Sequence, residues 1–576
     1  MLVANRGEIA VRVIRALDEL GIESVAVYSE ADRDAQHVKR ATEAHLLGPG
    51  PAAESYLNVD KLLEAIERSG AQAVHPGYGF LAENAAFARR LEAAGVTFIG
   101  PPASAIDAMG SKTRARELMA AAGVPIVPGT TAPVATLEEA ARIAEEIGYP
   151  VAVKAAGGGG GKGFRVALAA DKLQDAFEGA AREGEKFFSD PTVYLERYLP
   201  DPRHVEVQVL ADAHGAVVHL GERDCSIQRR HQKLIEESPA PMVDAALRER
   251  IGRIAVEAAR AVDYRGAGTI EGLLSPDGEY FFLEMNTRVQ VEHCVTEAVT
   301  GIDIVREQVL IAAGEPLSFT QDDVRWRGHA IECRINAEDA SRNFAPAPGL
   351  VTHYREPAGP GVRIDSGVLA GSEISPLYDP MVAKLIVWDS DRERATRRMA
   401  RALGEFEIDG VRTLIPFHQA IMASAQWARG ETCRDLIEDR EWLKTLAAPV
   451  EAAAGEPDAT VAHDYVVEVS GKRFDVTVHA NGVAPVKAAP KARPRRASGG
   501  AAGGGDTLAS PMQGNVFKVL VEKGAAVEAG ALICIIEAMK MENEITAHKA
   551  GTIAELPIAE GDAVTAGDTL AVITGG

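Results

Sequence analysis

The last seventy residues contain an internal repeat, which constrains their fold more than any other feature of the chain. An offset of 37 residues aligns GNVFKVLVEKGAAVEAGALICII (514–536) with GTIAELPIAEGDAVTAGDTLAVI (551–573). Glycines match at Gly524 and Gly561, and apolar residues match at Ile536 and Ile573. Two similar halves built from short strand-like segments predict a flattened all-β domain with internal pseudo-symmetry.

One lysine falls between the two copies of the repeat. Lys540 is in the centre of EAMKME (537–542), and the sequence is typical of a strand on both sides. The repeat therefore predicts a hairpin that connects the two halves at one end of the domain. A lysine there is a surface residue, a catalytic group or an attachment point, and the pattern alone does not distinguish these.

The first hundred residues follow a different pattern, in which short apolar strands alternate with amphipathic helices. Strands are predicted at LVAN, SVAVYSE and AQAVHPGYG, and the first helix at GEIAVRVIRALDELG. This alternation predicts a parallel sheet with helices on both faces. The start, MLVANRGEIA, lacks a basic segment followed by an apolar core, so we expect no secretory signal and a first strand trimmed at its beginning.

Composition excludes several classes of protein. The 576 residues carry a net charge of −22, which argues against non-specific binding of nucleic acid. No apolar run approaches the length of about eighteen residues that a membrane helix needs. The five cysteines are scattered and odd in number, which favours reduced, buried thiols in the cytoplasm.

Linkers separate the repeat domain from a mixed α/β region that extends to about residue 445. A β-hairpin is predicted in HDYVVEVSGKRFDVTVHANG (463–482), where alternating residues flank Ser470 and Gly471. Residues 483–505 contain no acid, five bases and much Pro, Ala and Gly, which is typical of a mobile linker.

Five consecutive glycines lie in KAAGGGGGKG (154–163), between two predicted strands. Glycine lets backbone N–H groups approach phosphate oxygens closely, and Lys154 precedes the run. The segment does not match a P-loop, which requires Gly-Lys-Ser/Thr at the start of a helix. We interpret it as a phosphate-covering flap, with a simple linker as the alternative.

Carboxylates are concentrated in TIEGLLSPDGEYFFLEMNTRVQVEH (269–293). Two strands meet there at a Pro-Asp-Gly turn, so the hairpin brings Glu271 and Glu284 together. With Asn286 they form an oxygen site suited to Mg²⁺, whose usual co-ligands are nucleotide phosphates. Arg288, Gln290 and Glu292 follow on one face of an extended strand, and the alternative is an ordinary strand with solvated charges.

A basic loop, DCSIQRRHQK (224–233), favours binding of a small anion, because the net charge opposes nucleic acid. His204 begins a strand in PRHVEVQVL, where a lone histidine is more often structural than functional.

These segments, taken in order, resemble the signatures of one family. The segments that carry the resemblance also include ANRGEIAVR (4–12), HPGYGFLAEN (75–84), EMNTRVQVEH (284–293) and ECRINAED (332–339). EAMKMEN resembles a biotin attachment motif. The chain resembles the α subunit of a biotin-dependent acyl-CoA carboxylase, in which biotin carboxylase is fused to a biotin carboxyl carrier domain. The resemblance covers about residues 1–445 and 506–574.

The resemblance implies an α/β fold, with an ATP-grasp biotin carboxylase followed by a small all-β biotinyl/lipoyl-type barrel. It implies a parallel-sheet N-terminal domain at 1–110, an ATP-grasp domain at 111–325 with its flap at about 130–200, a C-terminal carboxylase domain at 326–445, a linker with a hairpin at 446–482, a flexible linker at 483–505, and the carrier domain at 506–576.

The resemblance also implies roles for individual residues. The expected contacts to ATP are Lys112, Lys154, Gly157, Gly158, Gly159, Gly160, Gly161, Glu196, Leu199, His204, Gln228 and His231. The expected ligands of Mg²⁺ (or Mn²⁺) are Glu271, Glu284 and Asn286. The expected bicarbonate pocket consists of Lys233, Arg288, Gln290, Val291 and Glu292. The expected catalytic residues are Arg288, Glu292, Lys233 and Arg334. Biotin is expected on Lys540.

The implied activity is ATP- and bicarbonate-dependent carboxylation of that biotin. Bicarbonate is a poor electrophile, and ATP would activate it as carboxyphosphate, with Glu292 as general base and Arg288 stabilising the biotin anion. A separate carboxyltransferase β subunit would use the carboxybiotin, since no such domain fits after residue 445. We expect the hairpin to help dock that subunit, a biotin protein ligase to attach biotin, and the carboxylase part to form a homo-oligomer in the cytoplasm.

Two alternatives remain: another ATP-grasp ligase fused to a lipoyl-type carrier, and a non-catalytic biotin carrier. Acetyl-, propionyl- and methylcrotonyl-CoA all remain candidate acceptors. Three residues depart from the family pattern, namely Ala82 for serine, Gly272 for phenylalanine and Cys294 for proline. Gly272 is expected to loosen the nucleotide pocket.

Overall fold

The computed structural model describes most of the chain. The described residues are 1–130, 132–155, 163–188, 191–230, 232–447, 461–469, 472–480, 506–510, 514–538, 541–564 and 567–575.

The N-terminal region is a parallel sheet of five strands, as its alternating sequence predicts. The strands are β1 (Leu2–Val3), β2 (Val25–Ser29), β3 (Glu43–Gly48), β4 (Ala73–His75) and β5 (Thr97–Phe98), in the order β3-β2-β1-β4-β5. The helices are α1 (Gly7–Glu19), α2 (Gln36–Arg40), α3 (Val59–Ser69), α4 (Ala85–Ala93) and α5 (Ala103–Gly110). Helix α1 buries Ile9, Val13 and Leu17 and exposes Arg15 and Glu19, which is the amphipathic division its sequence predicts.

A small α/β unit follows and has its own core. Its elements are α7 (Leu137–Ile147), β6 (Val151–Ala155), β7 (Phe164–Ala167), α8 (Leu173–Phe188) and β8 (Val193–Arg197). Helix α6 (Lys112–Ala121) precedes this unit, and its Ala115 and Met119 belong to the core of the neighbouring large sheet. The strands form a sheet in the order β7-β6-β8. Ala140, Val151, Val153 and Leu195 are buried together between this sheet and its helices. The predicted glycine flap connects β6 to β7, so two strands that share a core anchor it on either side.

An eight-stranded antiparallel sheet forms the centre of the carboxylase region. Its first strands are β9 (Arg203–Ala211), β10 (Val217–Arg229), β11 (Gln232–Ser238), β12 (Gly266–Leu274), β13 (Tyr280–Asn286) and β14 (His329–Asn336). Six short strands come next and form three separate two-stranded sheets: β15 (Glu338–Asp339) with β16 (Ala345–Pro346), β17 (Gly349–Leu350) with β20 (Glu373–Ile374), and β18 (His353–Arg355) with β22 (Glu407–Asp409). Strands β19 (Val362–Ser366) and β21 (Met381–Asp389) complete the eight-stranded sheet. The sheet order is β13-β12-β9-β10-β11-β14-β21-β19, so one sheet continues across the boundary predicted at 325/326.

Helices pack around this sheet. They are α9 (Ala245–Arg260), α10 (His293–Thr300), α11 (Ile304–Ala312), α12 (Arg392–Glu405), α13 (Ile415–Met422), α14 (Ala425–Ala428), α15 (Arg434–Glu438) and α16 (Arg440–Lys444). No helix in the described part of the chain is long and apolar enough to cross a membrane. All five cysteines are buried and free, as predicted.

The predicted hairpin is present after the carboxylase region. Strand β23 (Val461–Val469) pairs antiparallel with β24 (Lys472–Ala480), with Val469 opposite Lys472. The turn residues Ser470 and Gly471 lie outside the described residues.

The C-terminal domain reproduces the sequence repeat strand by strand. Its strands are β25 (Thr507–Ala509), β26 (Gly514–Val519), β27 (Ala526–Val527), β28 (Leu532–Ala538), β29 (Met541–Thr546), β30 (Gly551–Glu555), β31 (Ala563–Val564) and β32 (Thr569–Thr574). They form two four-stranded sheets in the orders β25-β32-β30-β27 and β29-β28-β26-β31. Each strand of one sheet has its repeat counterpart at the same place in the other, so the predicted pseudo-symmetric all-β domain is confirmed.

Tyr280 fills the space that Gly272 leaves empty. A Cβ placed on Gly272 would lie 2.2 Å from Cζ of Tyr280, which is buried against β12. The expectation that Gly272 loosens the nucleotide pocket is therefore wrong, because a neighbouring aromatic ring occupies the place of the missing side chain.

This packing predicts the effect of adding a methyl group. Gly272→Ala should destabilise the carboxylase region by about 1–3 kcal/mol, because the new Cβ overlaps the Tyr280 ring. The matched control is Gly404→Ala in α12, where a Cβ meets nothing within 4 Å and no loss is expected. Urea unfolding followed by tryptophan fluorescence measures both. Because the two residues are in contact, the losses of unfolding free energy in Gly272→Ala and Tyr280→Leu should not add up in the double variant. Additive losses would contradict this packing.

Candidate active site

Charged residues from four neighbouring strands form a row across the eight-stranded sheet. Glu206 of β9 lies directly opposite Glu271 of β12 and Arg223 of β10, and Glu271 lies opposite Glu284 of β13. Residues opposite one another in a ladder point to the same face of the sheet. The hairpin of β12 and β13 thus places Glu271 beside Glu284, as its turn sequence predicts.

Lys233 of β11 is shared by three buried carboxylates. Its Nζ lies 2.6 Å from Glu206 Oε2, 2.9 Å from Glu271 Oε1 and 2.6 Å from Glu292 Oε1. Burial lowers the pKa of Lys233, but these carboxylates outweigh it and raise the pKa well above its ordinary value. The ammonium therefore stays charged and connects β9, β12 and the loop after β13.

Glu292 lies between two cations. Its second oxygen, Oε2, is 2.9 Å from Nη2 of Arg334 on β14. Burial raises the pKa of Glu292, but Lys233, Arg334 and Arg223 outweigh burial and lower the pKa below its ordinary value. Glu292 is therefore ionised at neutral pH, which is the state that a general base requires.

Arg223 supports this arrangement from the interior. Its side chain is fully buried, and its Nε donates to Glu206 Oε1 at 2.6 Å. The remaining guanidinium nitrogens donate to four further side chains, which are Gln208, Thr269, Gln290 and Thr296. Gln290 in turn donates to Glu271 Oε1 at 2.6 Å, so one buried arginine orients residues of both predicted pockets.

The expected metal ligands are suited to Mg²⁺. Glu271 Oε2 lies 3.1 Å from Nε2 of His204. Burial raises the pKa of Glu271, but Lys233 and His204 outweigh burial and hold the pKa well below its ordinary value. An ionised carboxylate, a second carboxylate opposite it and the amide oxygen of Asn286 are the hard donors that Mg²⁺ prefers.

Arg288 connects the expected metal ligands to the N-terminal domain. Its Nη2 donates to Asn286 Oδ1 at 2.8 Å, and its Nε donates to Glu83 Oε2 at 2.8 Å. Arg288, Arg334, Val291 and Tyr78 line a cavity of about 270 Å³. This cavity also reaches the loop after β1, beside the point where the strand order of the parallel sheet reverses, which is where open α/β sheets bind ligands.

Four further residues expected on the nucleotide side have described side chains, in three different surroundings. Lys154 on β6 forms an ion pair with Glu196 on β8, and Arg116 Nη1 lies 3.1 Å from the other oxygen of Glu196. Leu199 packs with two apolar side chains, Val127 and Phe281. Gln228 donates to the carbonyl oxygen of Cys225 at 2.6 Å.

Several expected residues have no described side chain. Lys112 begins α6, but its side chain lies outside the description. The flap glycines 157–161, His231 and Lys540 lie outside the described residues.

Sequence reasoning missed Glu206, Arg223 and Glu236, which have buried side chains in this network. The sequence pattern that could have identified them is a charged residue within an apolar strand, as in HVEVQVL, ERDCSI and KLIEES. A charge in such a strand needs a partner, but the sequence does not show which strand supplies it.

The departure at Cys294 also lies next to the pocket. Its Sγ is 3.1 Å from Nζ of the fully buried Lys384 and 3.2 Å from Oδ2 of Asp365. Lys384 also donates to the carbonyl oxygen of Val291 at 2.8 Å. The thiol thus contacts the lysine that holds the backbone of the predicted bicarbonate pocket.

Four family models match the chain in succession. They are "Biotin carboxylase, N-terminal domain" at 1–106, "Carbamoyl-phosphate synthase L chain, ATP binding domain" at 111–320, "Biotin carboxylase C-terminal domain" at 332–439 and "Biotin-requiring enzyme" at 506–573.

Similar proteins cover the whole chain or its carboxylase region. The biotin-dependent acyl-coenzyme A carboxylase alpha3 subunit of Mycobacterium leprae is 47% identical over 100% of this chain and 98% of its own length. The propionyl-CoA carboxylase alpha chain of Ruegeria pomeroyi is 38% identical over 99% of both chains. The biotin carboxylase domain of Hydrogenobacter thermophilus 2-oxoglutarate carboxylase, solved with MgADP, ADP and bicarbonate, is 49% identical, with a TM-score of 0.71 over 77% of this chain and 98% of that chain.

These similarities confirm the predicted family and fold class. The chain therefore belongs to the family of biotin-dependent acyl-CoA carboxylase alpha subunits, in which an ATP-grasp biotin carboxylase is joined to a biotin-lipoyl domain.

Proposed function

We propose that this chain uses ATP and bicarbonate to carboxylate the biotin carried on Lys540, and supplies the carboxyl group to a separate carboxyltransferase subunit that acts on an acyl-CoA. The observation that carries the proposal is the network of Lys233, Glu292 and Arg334. It holds an ionised carboxylate between two fixed cations, 2.6 Å and 2.9 Å away. Bicarbonate-dependent release of ADP in the presence of free biotin tests the carboxylase step.

The network suits a small anion that must lose a proton. Bicarbonate has a poor leaving group, so ATP must phosphorylate it, and its oxygen attacks better once deprotonated. Glu292 would accept that proton. Lys233 and Arg334 would balance the negative charge that remains on the substrate.

The residues on the nucleotide side would position ATP. Lys154 and the flap glycines would donate to its phosphates, and the apolar group of Leu199, Val127 and Phe281 offers a surface for its base. Mg²⁺ held by Glu271, Glu284 and Asn286 would neutralise phosphate charge when bound.

The cavity lined by Arg288 and Arg334 would receive the acceptor. Biotin attached to Lys540 supplies the ureido nitrogen that takes up the carboxyl group. The two guanidinium groups would stabilise negative charge on the acceptor's oxygen, and a closed flap would exclude water from the activated intermediate.

The proposed function requires partner proteins. A carboxyltransferase subunit would act on acetyl-, propionyl- or methylcrotonyl-CoA, and a biotin protein ligase would attach biotin in the cytoplasm. We further propose that the carboxylase part self-associates, and that the hairpin of β23 and β24 helps to dock the carboxyltransferase subunit, because it is an ordered β unit between two predicted linkers.

Replacing Lys540 separates the carrier role of the C-terminal domain from catalysis by the carboxylase region. Lys540→Arg should lose avidin binding and all carboxylation of acyl-CoA, since arginine cannot be biotinylated. It should retain ADP release with free biotin, because the carboxylase site is intact. Avidin blotting and the two assays measure this. Acyl-CoA carboxylation that survives without free biotin would refute the role of Lys540.

Replacing Glu292 tests its proposed role as the general base. Glu292→Gln should lower bicarbonate-dependent ADP release by about 10²–10⁴-fold, the usual contribution of a general base. Binding of ATP should change little, because Glu292 has no described contact with the nucleotide-side residues. The control is Glu257→Gln, an exposed residue of α9. Near-normal bicarbonate-dependent activity in Glu292→Gln would exclude it as the base.

Deleting the hairpin tests its docking role. A chain lacking residues 461–482 should lose co-purification with the carboxyltransferase subunit while keeping ADP release with free biotin. A chain of equal length that keeps the hairpin but lacks 22 residues of the second linker is the matched control. Undiminished co-purification of the hairpin deletion would contradict this role.

A further inference from the structure

Arg334 is shared by two buried carboxylates with different surroundings. Its Nε donates to Glu236 Oε1 at 2.6 Å, and its Nη2 lies 2.9 Å from Glu292 Oε2. Glu292 has a second cation, Lys233, on its other oxygen. The second oxygen of Glu236 has no hydrogen-bond partner among the described residues, so Arg334 is the one cation that Glu236 contacts there.

The surroundings of Glu236 are rich in acidic groups. Glu236 is fully buried on β11, directly opposite Glu332 of β14, whose two oxygens also have no hydrogen-bond partner in the described part of the chain. The charged groups that act electrostatically on Glu236 and Glu332 are Arg334, Glu292, Lys233 and Lys384. The negative charge of Glu236 also contributes to the raised pKa values of the buried thiols of Cys225 and Cys333.

These surroundings give the three carboxyls different protonation states. Burial raises the pKa of Glu236 to about 7, with Glu292 adding to the effect and Arg334 opposing it. Burial also raises the pKa of Glu332 well above its ordinary value, despite the nearby Lys384. Burial therefore favours the protonated form of Glu332, whereas Glu292 is ionised at neutral pH and Glu236 titrates near pH 7.

We propose that Glu236 is a positioning residue, whose carboxylate keeps Arg334 in the bicarbonate pocket when Glu292 takes up the proton of bicarbonate. The inference rests on the proposed function, because Glu292 is the acceptor only if the chain deprotonates bicarbonate. That proton transfer breaks the O–H bond of bicarbonate, forms one on Glu292 and leaves carbonate.

The step removes one of the two charges that hold Arg334. Lys233 still has Glu206 and Glu271 after Glu292 becomes neutral, so it stays in place. Among the described residues, Arg334 then keeps Glu236 as its anionic contact, with Nε at 2.6 Å and Nη2 at 2.5 Å from Glu236 Oε1. The guanidinium N–H groups that face away from Glu236 can bind the doubly charged substrate. Glu236 must be ionised to do this, so the effect is lost as pH falls through the pKa of Glu236.

The test compares two isosteric substitutions of neighbouring buried glutamates. Glu236→Gln removes the charge that anchors Arg334, whereas Glu332→Gln changes a neighbouring buried glutamate that has no hydrogen bond to Arg334 among the described residues. Initial rates of ADP release with free biotin are measured against bicarbonate and against ATP at each pH. The bicarbonate concentration is recalculated at each pH, because its own equilibrium with CO₂ shifts over the same range.

Glu236→Gln should lower kcat/KM for bicarbonate by about tenfold or more, the size expected of one charge-assisted hydrogen bond. Its KM for ATP should stay within about twofold of wild type, since a uniform binding defect is not expected. Wild type and Glu332→Gln should both lose activity as pH falls through about 7, and Glu236→Gln should lack this dependence. Glu236→Asp keeps the charge and should restore the acid limb.

The kinetics of Glu236→Gln decide whether Glu236 positions Arg334. Bicarbonate kinetics in Glu236→Gln equal to those of wild type would overturn it, and so would an equal loss toward ATP and bicarbonate. If Glu236→Gln fails to fold, a wild-type profile that is flat between about pH 6 and 8 still overturns it. A wild-type chain without any bicarbonate-dependent ADP release would instead refute the proposed function.

Discussion

The Lys233 ammonium holds together three carboxylates that would otherwise repel one another in a buried site. Glu206, Glu271 and Glu292 come from β9, β12 and the loop after β13, and each lies within 2.9 Å of the same Nζ. Removing one partner of a buried ion pair typically costs about 3–5 kcal/mol, because it leaves an uncompensated charge. Here the loss of one lysine would affect both the proposed metal site and the proposed bicarbonate pocket.

The other cations extend this arrangement in three directions. Arg223 lies beneath the carboxylates and orients Glu206 and Gln290. Arg334 faces the cavity and binds Glu292, and Arg288 connects the site to the N-terminal domain through Glu83. Nearby cations outweigh burial at Glu271 and Glu292 and lower their pKa values, whereas burial outweighs Arg334 at Glu236 and raises its pKa. Ionised groups are thus available for a metal ion and for a proton at neutral pH.

Local sequence patterns predicted the features that depend on neighbouring residues. The 37-residue repeat predicted two matching sheets, and the Pro-Asp-Gly turn predicted that Glu271 lies beside Glu284. The partners of buried charges were not predictable, because they depend on the register of strands that are distant in sequence. Arg223 meets Gln290 across 67 residues, and Tyr280 fills the place of the side chain that Gly272 lacks. The same limit applies to the sheet that continues across the predicted boundary at residue 325.

Transfer of labelled carbon from bicarbonate to the chain's own biotin is the direct measure of the proposed carboxylation. The biotinylated chain is incubated with ¹⁴C-bicarbonate and MgATP, without a carboxyltransferase subunit, and then digested under conditions that preserve the carboxyl group. We expect ATP-dependent label on the peptide that contains Lys540 and none in Lys540→Arg. Absence of label from that peptide in an active preparation, or label that forms equally well without ATP, would contradict the proposed carboxylation.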